Sequence, residues 1–486
     1  MKKAVKFGAL LFMAFAACTP QTPDPEPEPG ETSVGQSVII PQEAGTEVTL
    51  DISAAGNWQI VNNTNWLSIS PLSGFAGEAT LKMYSRESNM NVTERQGTFT
   101  LVVGETEKVT FHVFQDGTEG LKLKSSAVNA TGDAGQVQIY VDANAEFSAE
   151  FDQNWASVED IEYGVETTLL DDGVTVSKLQ TACITVNVEE NNDNSFRNAV
   201  LSLACSGNEY AVTLVQSPKS NATVSDWSEP FFRRTLGRRF TATTCGYCPG
   251  MDMVFKEALA EHPDRFVPIS FYGVYGGMSS DIHSDYYEEF GDIYNIRGVP
   301  TAIVNDIADV PNYTASQYTL NAVNGLIEEA VTALPSKTGI ATISALNGNN
   351  FSLLCSVATK EARPYRLHIF LLEDGVVAYQ SSYYSDIPGG SNYVHDAVQR
   401  CALTGAEGTE LEGVENGIVT YQTNYDIPDG TFNDINNAYA VIVVTYESDG
   451  LFNGTTPYAE YTDFGMVVDN VVKIPLNGQT DFEYEN

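Results

Sequence analysis

Two cysteines stand three positions apart in the stretch FTATTCGYCPGMD, residues 240–252 of a 486-residue chain that has seven cysteines in all. A pair at this spacing suits thiol–disulfide exchange, half of a metal site, or a permanent cross-link. Where such a pair opens a helix, unpaired backbone N–H groups and the helix dipole favour an anion at the first cysteine. Its pKa then falls from about 8.5 into a range of roughly 3.5–7.5, and the thiolate becomes a nucleophile near neutral pH. In that chemistry Cys245 attacks and Cys248, one turn on, resolves the mixed disulfide. Pro249 suits the first helical turn, where its missing N–H costs little. A zinc site needs four ligands. Downstream there are only Cys355 and Cys401, each alone, and the five histidines are scattered, so neither a metal nor a cofactor is expected.

The flanking pattern supplies elements to position the pair. An apolar strand, FFRRTLGRRFTAT, leads into it. The stretch PGMDMVFKEALAEHPD has helical spacing, with Met253, Val254, Leu259 and Ala260 on one face. RFVPISFYGV reads as a second strand, and SSDIHSDYYEEFGDIYNI as a helix with Ser280 as its N-cap. VPTAIVND is a third strand, and TASQYTLNAVNGLIEEAVTAL is a second long helix. Strands alternating with helices define an α/β unit over residues 226–334.

This order, with RGVPT about 55 residues beyond the cysteines, resembles the thioredoxin-like proteins. The resemblance implies that Pro300 packs against the redox pair and that Val299 and Tyr247 contact a substrate polypeptide. The longer spacing falls in residues 273–284, which would border the groove. Two departures stand out. Thr244 occupies the place of the usual aromatic, and Arg239 that of the usual buried acid. An arginine turned toward the site would hold Cys245 as a stable thiolate and make the disulfide more oxidising. An arginine on the solvent face of the strand would do neither.

Upstream, residues 34–218 read as short alternating strands separated by Gly, Asn and Asp turns. They contain a repeat. NTNWLSISPLSG around Trp66 is echoed by DQNWASVED around Trp155, RQGTFTLVVGE by RNAVLSLACSG, and VTFHVFQDG by YAVTLVQSP. Two tandem immunoglobulin-like β-sandwiches follow, over 34–118 and 119–218. Both resemble BACON domains, the first through Trp66, Pro71, Gly74, Arg95 and Gln115; the second lacks the Ser-Pro-x-Ser-Gly turn. The family name implies carbohydrate binding, whereas repeat-equivalent tryptophans favour packing. Strand alternation turns Cys205 into the core, where the first copy has Val103, and Cys183 outward across what looks like a hairpin.

Residues 335–486 return to a strand period and predict a C-terminal β-sandwich-like domain. Cys355 and Cys401 there are either a disulfide or two buried thiols. TATTCGYCPG, RGVPT and SNYVHDAVQRCALTG together resemble the outer-membrane-protein-28-related lipoproteins, which join a thioredoxin-like domain to a β domain.

At the N-terminus, Lys2, Lys3 and Lys6 precede a short apolar run ending in FAAC. This is the form of a secretory signal over 1–17, and it resembles a lipobox with Cys18 as the lipidated residue. Residues 18–33 are a Pro/Glu-rich tether, extended and self-repelling. The expected location is the outer membrane, anchored through Cys18 and facing the periplasm or the cell surface. A formal net charge of −39 argues against nucleic acid as a partner. The acidic cluster at Asn191–Ser195 offers oxygen ligands but lacks the ordered spacing of an EF-hand loop. Two functions stay open: thiol–disulfide exchange on extracytoplasmic polypeptides, or binding of a glycan or protein with Cys245–Cys248 as a structural disulfide.

Overall fold

The computed structural model describes residue 32 and residues 37–164, 179–274, 280–310 and 315–485. Cys18, the leader, the tether and most of the insertion in the second repeat lie outside the described residues.

The two N-terminal repeats are β-sandwiches with separate cores. In each, a strand near the start runs parallel to the last. Ser37–Ile40 pairs with His112–Gln115, and Ala127–Ala130 with Thr213–Gln216. Cys205 is buried, as is Val103, and Cys183 is half-buried on the other face. The expected hairpin between them is absent: Gln180–Val188 and Arg197–Cys205 belong to opposite sheets. A strand that changes layer keeps the same alternation, so the two thiols could be placed but not their sheets.

Both tryptophans serve a repeat-equivalent clamp. The Arg95 guanidinium lies 4.7 Å over the Trp66 ring, and that of Arg197 lies 4.3 Å over Trp155. Each arginine donates through Nε to a buried glutamine, Gln115 at 2.6 Å and Gln216 at 2.8 Å. Those glutamines donate in turn to backbone carbonyls, Gln42 and Thr131 among them. Asn191, in the acidic cluster, donates to the carbonyls of Ser195 and Ser217.

The remaining chain forms one continuous structure. Strand β1 (Thr235–Thr241) leads through α1 (Cys248–Glu261) to β2 (Phe266–Tyr272), parallel to β1. After α2 (Tyr287–Ile293), β3 (Thr301–Val304) runs antiparallel to β1, and β4 (Ala308–Asp309) pairs with β3. Helix α3 (Gln317–Ala333) follows, capped by the Ser316 hydroxyl, which accepts from the Thr319 N–H. The strand order is β4-β3-β1-β2. Gly237 permits close packing of α1, since a Cβ there would overlap the rings of Phe266 and Phe255.

The sheet does not stop at β2. It continues through β10 (Val398–Ala402) into β7 (Pro364–Glu373), β12 (Ala438–Glu447) and β13 (Met466–Pro475). A second layer, β5 (Thr338–Asn347), β6 (Asn350–Thr359) and β11 (Gly417–Asp426), packs across a shared apolar core. Cys355 and Cys401 are free buried thiols in that core, and burial pushes both up to about 12. An arm of two strands, β8 (Val376–Gln380) and β9 (Gly390–His395), projects from this region.

Two helical expectations need correction. Ser280 does not cap a helix: its hydroxyl accepts from the Ile282 N–H, and α2 begins only after Tyr286, which is left-handed at φ 55°. The buried face of α1 carries Met251, Val254, Phe255 and Ala258, while Met253 and Ala260 are exposed. The rotation brings Asp252 into the interior, where a cation awaits it.

At the outer edge, β4 meets the strand Glu460–Tyr461, with Asp309 directly opposite Glu460. Burial first and the Glu460 charge second raise the Asp309 carboxyl to about 6. The folded state therefore favours the neutral acid, and stability is lost as pH rises from about 4 through about 6. An amide stays neutral throughout. Asp309→Asn is expected to stabilise the chain at pH 7 by about 1–2 kcal/mol after allowing for partial exposure. The gain should disappear near pH 3.5, as read from thermal melts at both pH values.

Candidate functional site

Cys245 and Cys248 form a disulfide, and each is 1% exposed. Helix α1 starts at Cys248, with Tyr247 as N-cap and Pro249 in the first turn, so the pair sits at a helix N-terminus as the sequence predicts. Val299 and Pro300 lie beside it. The Val299–Pro300 bond is cis, and the Val299 carbonyl oxygen is 3.6 Å from Cys245 Sγ. Ala242, Cys245, Cys248 and Val299 form one small apolar cluster. Residues expected from the sequence to meet therefore do meet, Tyr247 at the exposed edge.

What the sequence does not reveal is a cover. The loop joining β8 to β9 folds over the pair and holds its backbone. The Ser381 N–H donates to the Thr243 carbonyl at 2.7 Å, and the Tyr383 N–H to Gly246 at 2.8 Å. Buried Gln380 donates through Nε2 to the Cys245 carbonyl at 2.9 Å. The Tyr383 ring packs edge-on against Tyr247, centroids 5.0 Å apart. Gly246 and Gly250 accept this packing because they lack side chains: a Cβ at either would come within 2.6 Å of Tyr383 or Tyr384. From the 273–284 stretch, the Asp281 N–H donates to the Thr243 hydroxyl at 3.0 Å.

Arg239 takes neither of its two expected orientations. It is buried and pairs with Asp252 of α1 at 2.8 Å. It also donates to the Ser270 hydroxyl at 2.8 Å. Asp252 receives Lys256 at 3.1 Å and the Tyr393 hydroxyl at 2.6 Å. Burial alone would raise the Asp252 carboxyl; Arg239 and Lys256 outweigh it and hold the group below the usual carboxylate range. Next to them, His395 Nδ1 is 2.9 Å from the Tyr272 hydroxyl. Burial and the Arg239 charge lower its imidazole to about 4. Arg239 thus arrives with its charge already matched by Asp252. An acid among the apolar residues of the first helical turns, four residues before a lysine and next to a strand with two arginines, is the available signal for this pairing.

The architecture defines a β-rich protein in which two sandwiches precede a β-α-β unit fused edge-to-edge with a third sandwich. Its family matches fall on parts of these units. Residues 287–454 match the family model of outer membrane protein Omp28, from α2 into the C-terminal sheets. Residues 28–118 match a model described as a viral BACON domain, and residues 145–217 match BACON, described as "Putative binding domain, N-terminal". Among solved structures, HBP35 of Porphyromonas gingivalis is 14% identical with a TM-score of 0.39, covering 51% of this chain and 76% of that one. A domain of the outer membrane lipoprotein Omp28 from the same organism is 15% identical with a TM-score of 0.19, covering 30% and 92%. A Bacteroides ovatus GH5 xyloglucanase in complex with a heptasaccharide is 16% identical with a TM-score of 0.17, covering 21% of each chain. No match is found among curated proteins.

The cover predicts slow chemistry at the disulfide. Gln380→Ala removes a buried donor shared by the Ala242 and Cys245 carbonyls, a loss of about 0.5–1.5 kcal/mol. Each 1.4 kcal/mol is about tenfold. Reduction of Cys245–Cys248 by dithiothreitol, followed by thiol labelling over time, is expected to run faster in this variant than in the wild type, by up to about ten times.

Proposed function

We propose that this chain is an outer-membrane lipoprotein, anchored through Cys18, that works by binding. Its thioredoxin-like unit, on this reading, keeps Cys245–Cys248 as a structural cross-link. The observation that carries it is the burial of Cys245 beneath the β8–β9 loop, whose backbone is hydrogen-bonded to the cysteine segment. A nucleophile must reach a substrate polypeptide, and a covered sulfur does not. The thioredoxin-like assignment is supported by the strand order β4-β3-β1-β2, by the cysteine pair at the head of α1, and by Pro300 beside it. The envelope location draws on the Omp28 match. Among the described residues no helix is long and apolar enough to cross a membrane.

Partner contact is assigned to the BACON-like sandwiches, with a glycan or a protein as ligand. Trp66 and Trp155 are poor sugar platforms, because Arg95 and Arg197 occupy one face of each ring. Phe75, 84% exposed beside the Ser70–Pro71 turn with Leu72, is the better contact. Phe75→Ala is expected to weaken retention on an immobilised polysaccharide panel at least fivefold while leaving the melting temperature unchanged.

One observation keeps thiol–disulfide exchange as a second reading. The Val299 backbone lies against Cys245 Sγ, where a substrate strand would dock if the loop left. The two readings separate in an insulin-reduction and scrambled-ribonuclease assay on the full chain and on Cys245→Ser. The binding reading expects no turnover in any redox buffer and a potential below about −300 mV. Turnover that disappears in Cys245→Ser would overturn it in favour of exchange on extracytoplasmic polypeptides.

A further inference from the structure

A cavity of about 460 Å³ opens between α1, the start of β2 and the strands that follow β10. That volume falls within the range of small-molecule sites. Its walls are apolar, with Phe255 and Leu259 from α1 facing Val267 and Pro268 from β2. Its charged lining is unlike the rest of the chain. Arg234, Arg239, Lys256 and Lys473 face Asp252, Asp264, Asp374 and Asp396, four cations to four acids, in a protein with 25 cations to 64 acids.

Three of the four acids are already occupied. Asp252 takes Arg239, Lys256 and the Tyr393 hydroxyl. Asp374 takes the Ala397 N–H at 2.7 Å, the Tyr439 hydroxyl at 2.9 Å and Lys473 at 3.3 Å. Asp396 takes Lys256 at 3.0 Å and the Gly375 N–H at 2.9 Å. The buried cation is not used up. Arg239 is 2% exposed, donates through Nε and Nη2 to the Ser270 hydroxyl and through Nη2 to the Tyr272 hydroxyl, and forms an ion pair with Asp252. Its hydrogen bonds run through Nε and Nη2, and none is found from Nη1 among the described residues. A guanidinium nitrogen without a hydrogen-bond partner, on a residue lining the cavity, has two donors to offer a ligand there.

From this geometry we infer that the cavity binds a small organic anion, with an apolar body against Phe255, Leu259, Val267 and Pro268 and an acidic group at Arg239 Nη1. The site is separate from the two N-terminal sandwiches and from the disulfide, so it stands or falls independently of the function proposed above. An anion completes the hydrogen bonding of a buried guanidinium, the arrangement that discriminates most strongly against a ligand lacking the acid. A neutral ligand of the same shape would leave those donors dry.

The probe is anilinonaphthalene sulfonate, compared with phenylnaphthylamine, the same aromatic body without the acid. Both are titrated by fluorescence against the full chain, with circular dichroism melts to confirm that each variant folds. The wild type is expected to bind one sulfonate probe per chain, at least ten times more tightly than the neutral probe. Leu259→Trp fills the apolar wall without touching an ion pair and is expected to weaken both probes about tenfold. In the charge-neutral exchange Arg239→Met with Asp252→Asn, the preference for the sulfonate should fall to about onefold while the neutral probe still binds. Equal binding of the two probes to the wild type, sulfonate binding unmoved by Leu259→Trp, or a preference that survives the double exchange would each overturn the assignment.

Discussion

Strand β1 is buried along its whole length and carries two adjacent arginines. Neighbouring residues on a strand point to opposite faces, so Arg238 and Arg239 enter two different interiors. A buried charge is tolerated only when it is paired and hydrogen-bonded. Two acids must therefore be delivered, one to each face. Asp306 serves Arg238 at 2.9 Å, both side chains fully buried, from a turn whose residue Asp306 sits at φ 55°. Asp252 serves Arg239 from α1. The pairs fix how α1 lies across the sheet and how β3 turns into β4. The same α1 places Cys248, and the same β3 begins next to Val299–Pro300. Removing one partner from such a pair costs about 3–5 kcal/mol, because the other charge is left stranded. The cysteine segment is thus held from both sides of one strand.

The pairing also bears on the sulfur chemistry. A free guanidinium near Cys245 would favour its thiolate. Arg239 instead lends its charge to Asp252, and Asp252 in turn gathers Lys256 and Tyr393. Because Tyr393 belongs to β9, the network reaches from β1 through α1 into the arm that ends at the covering loop. The ion pair and the cover are one assembly: the strand that carries Tyr393 is paired with the strand that carries Gln380.

Much of this organisation was legible in the sequence, and the part that was not shares a cause. Element order, the cysteine pair at a helix start and the inward Cys205 follow from local period and turn chemistry, while Val299–Pro300 beside the pair is what the thioredoxin-like resemblance implies. The repeat is legible because Trp, Arg and Gln recur in the same order, Arg and Gln at nearly the same offset, and those residues form the clamp. The phase of α1 was misread because apolar residues alone were counted, placing Met253 and Ala260 inside. Asp252 displaced them, since a buried arginine outweighs an exposed methionine in setting which face turns in. The Gln380–Gly389 loop was not legible at all. Its residues carry turn chemistry like any surface loop, and only the docking of β10 against β2, 126 residues away, brings it over the cysteines.

That docking rests on little backbone pairing: one registered residue pair, Ser270 with Val398, and the Ala397 carbonyl accepting from the Ser270 N–H at 2.7 Å. The apolar surface behind it is far larger. Phe271 and Phe290 pack on Phe370 of β7, so one core runs from α2 to β13 without a break. A seam with a single backbone link and a continuous core does not part by sliding, since sliding would expose the whole aromatic layer. The arm leading into β10 is tied to the cysteine segment and to α1 by the Ser381 and Tyr383 N–H groups, by buried Gln380 and by the Tyr393 hydroxyl on Asp252. Access to the disulfide is therefore set by Gln380 and the loop that follows it, residues 381–389.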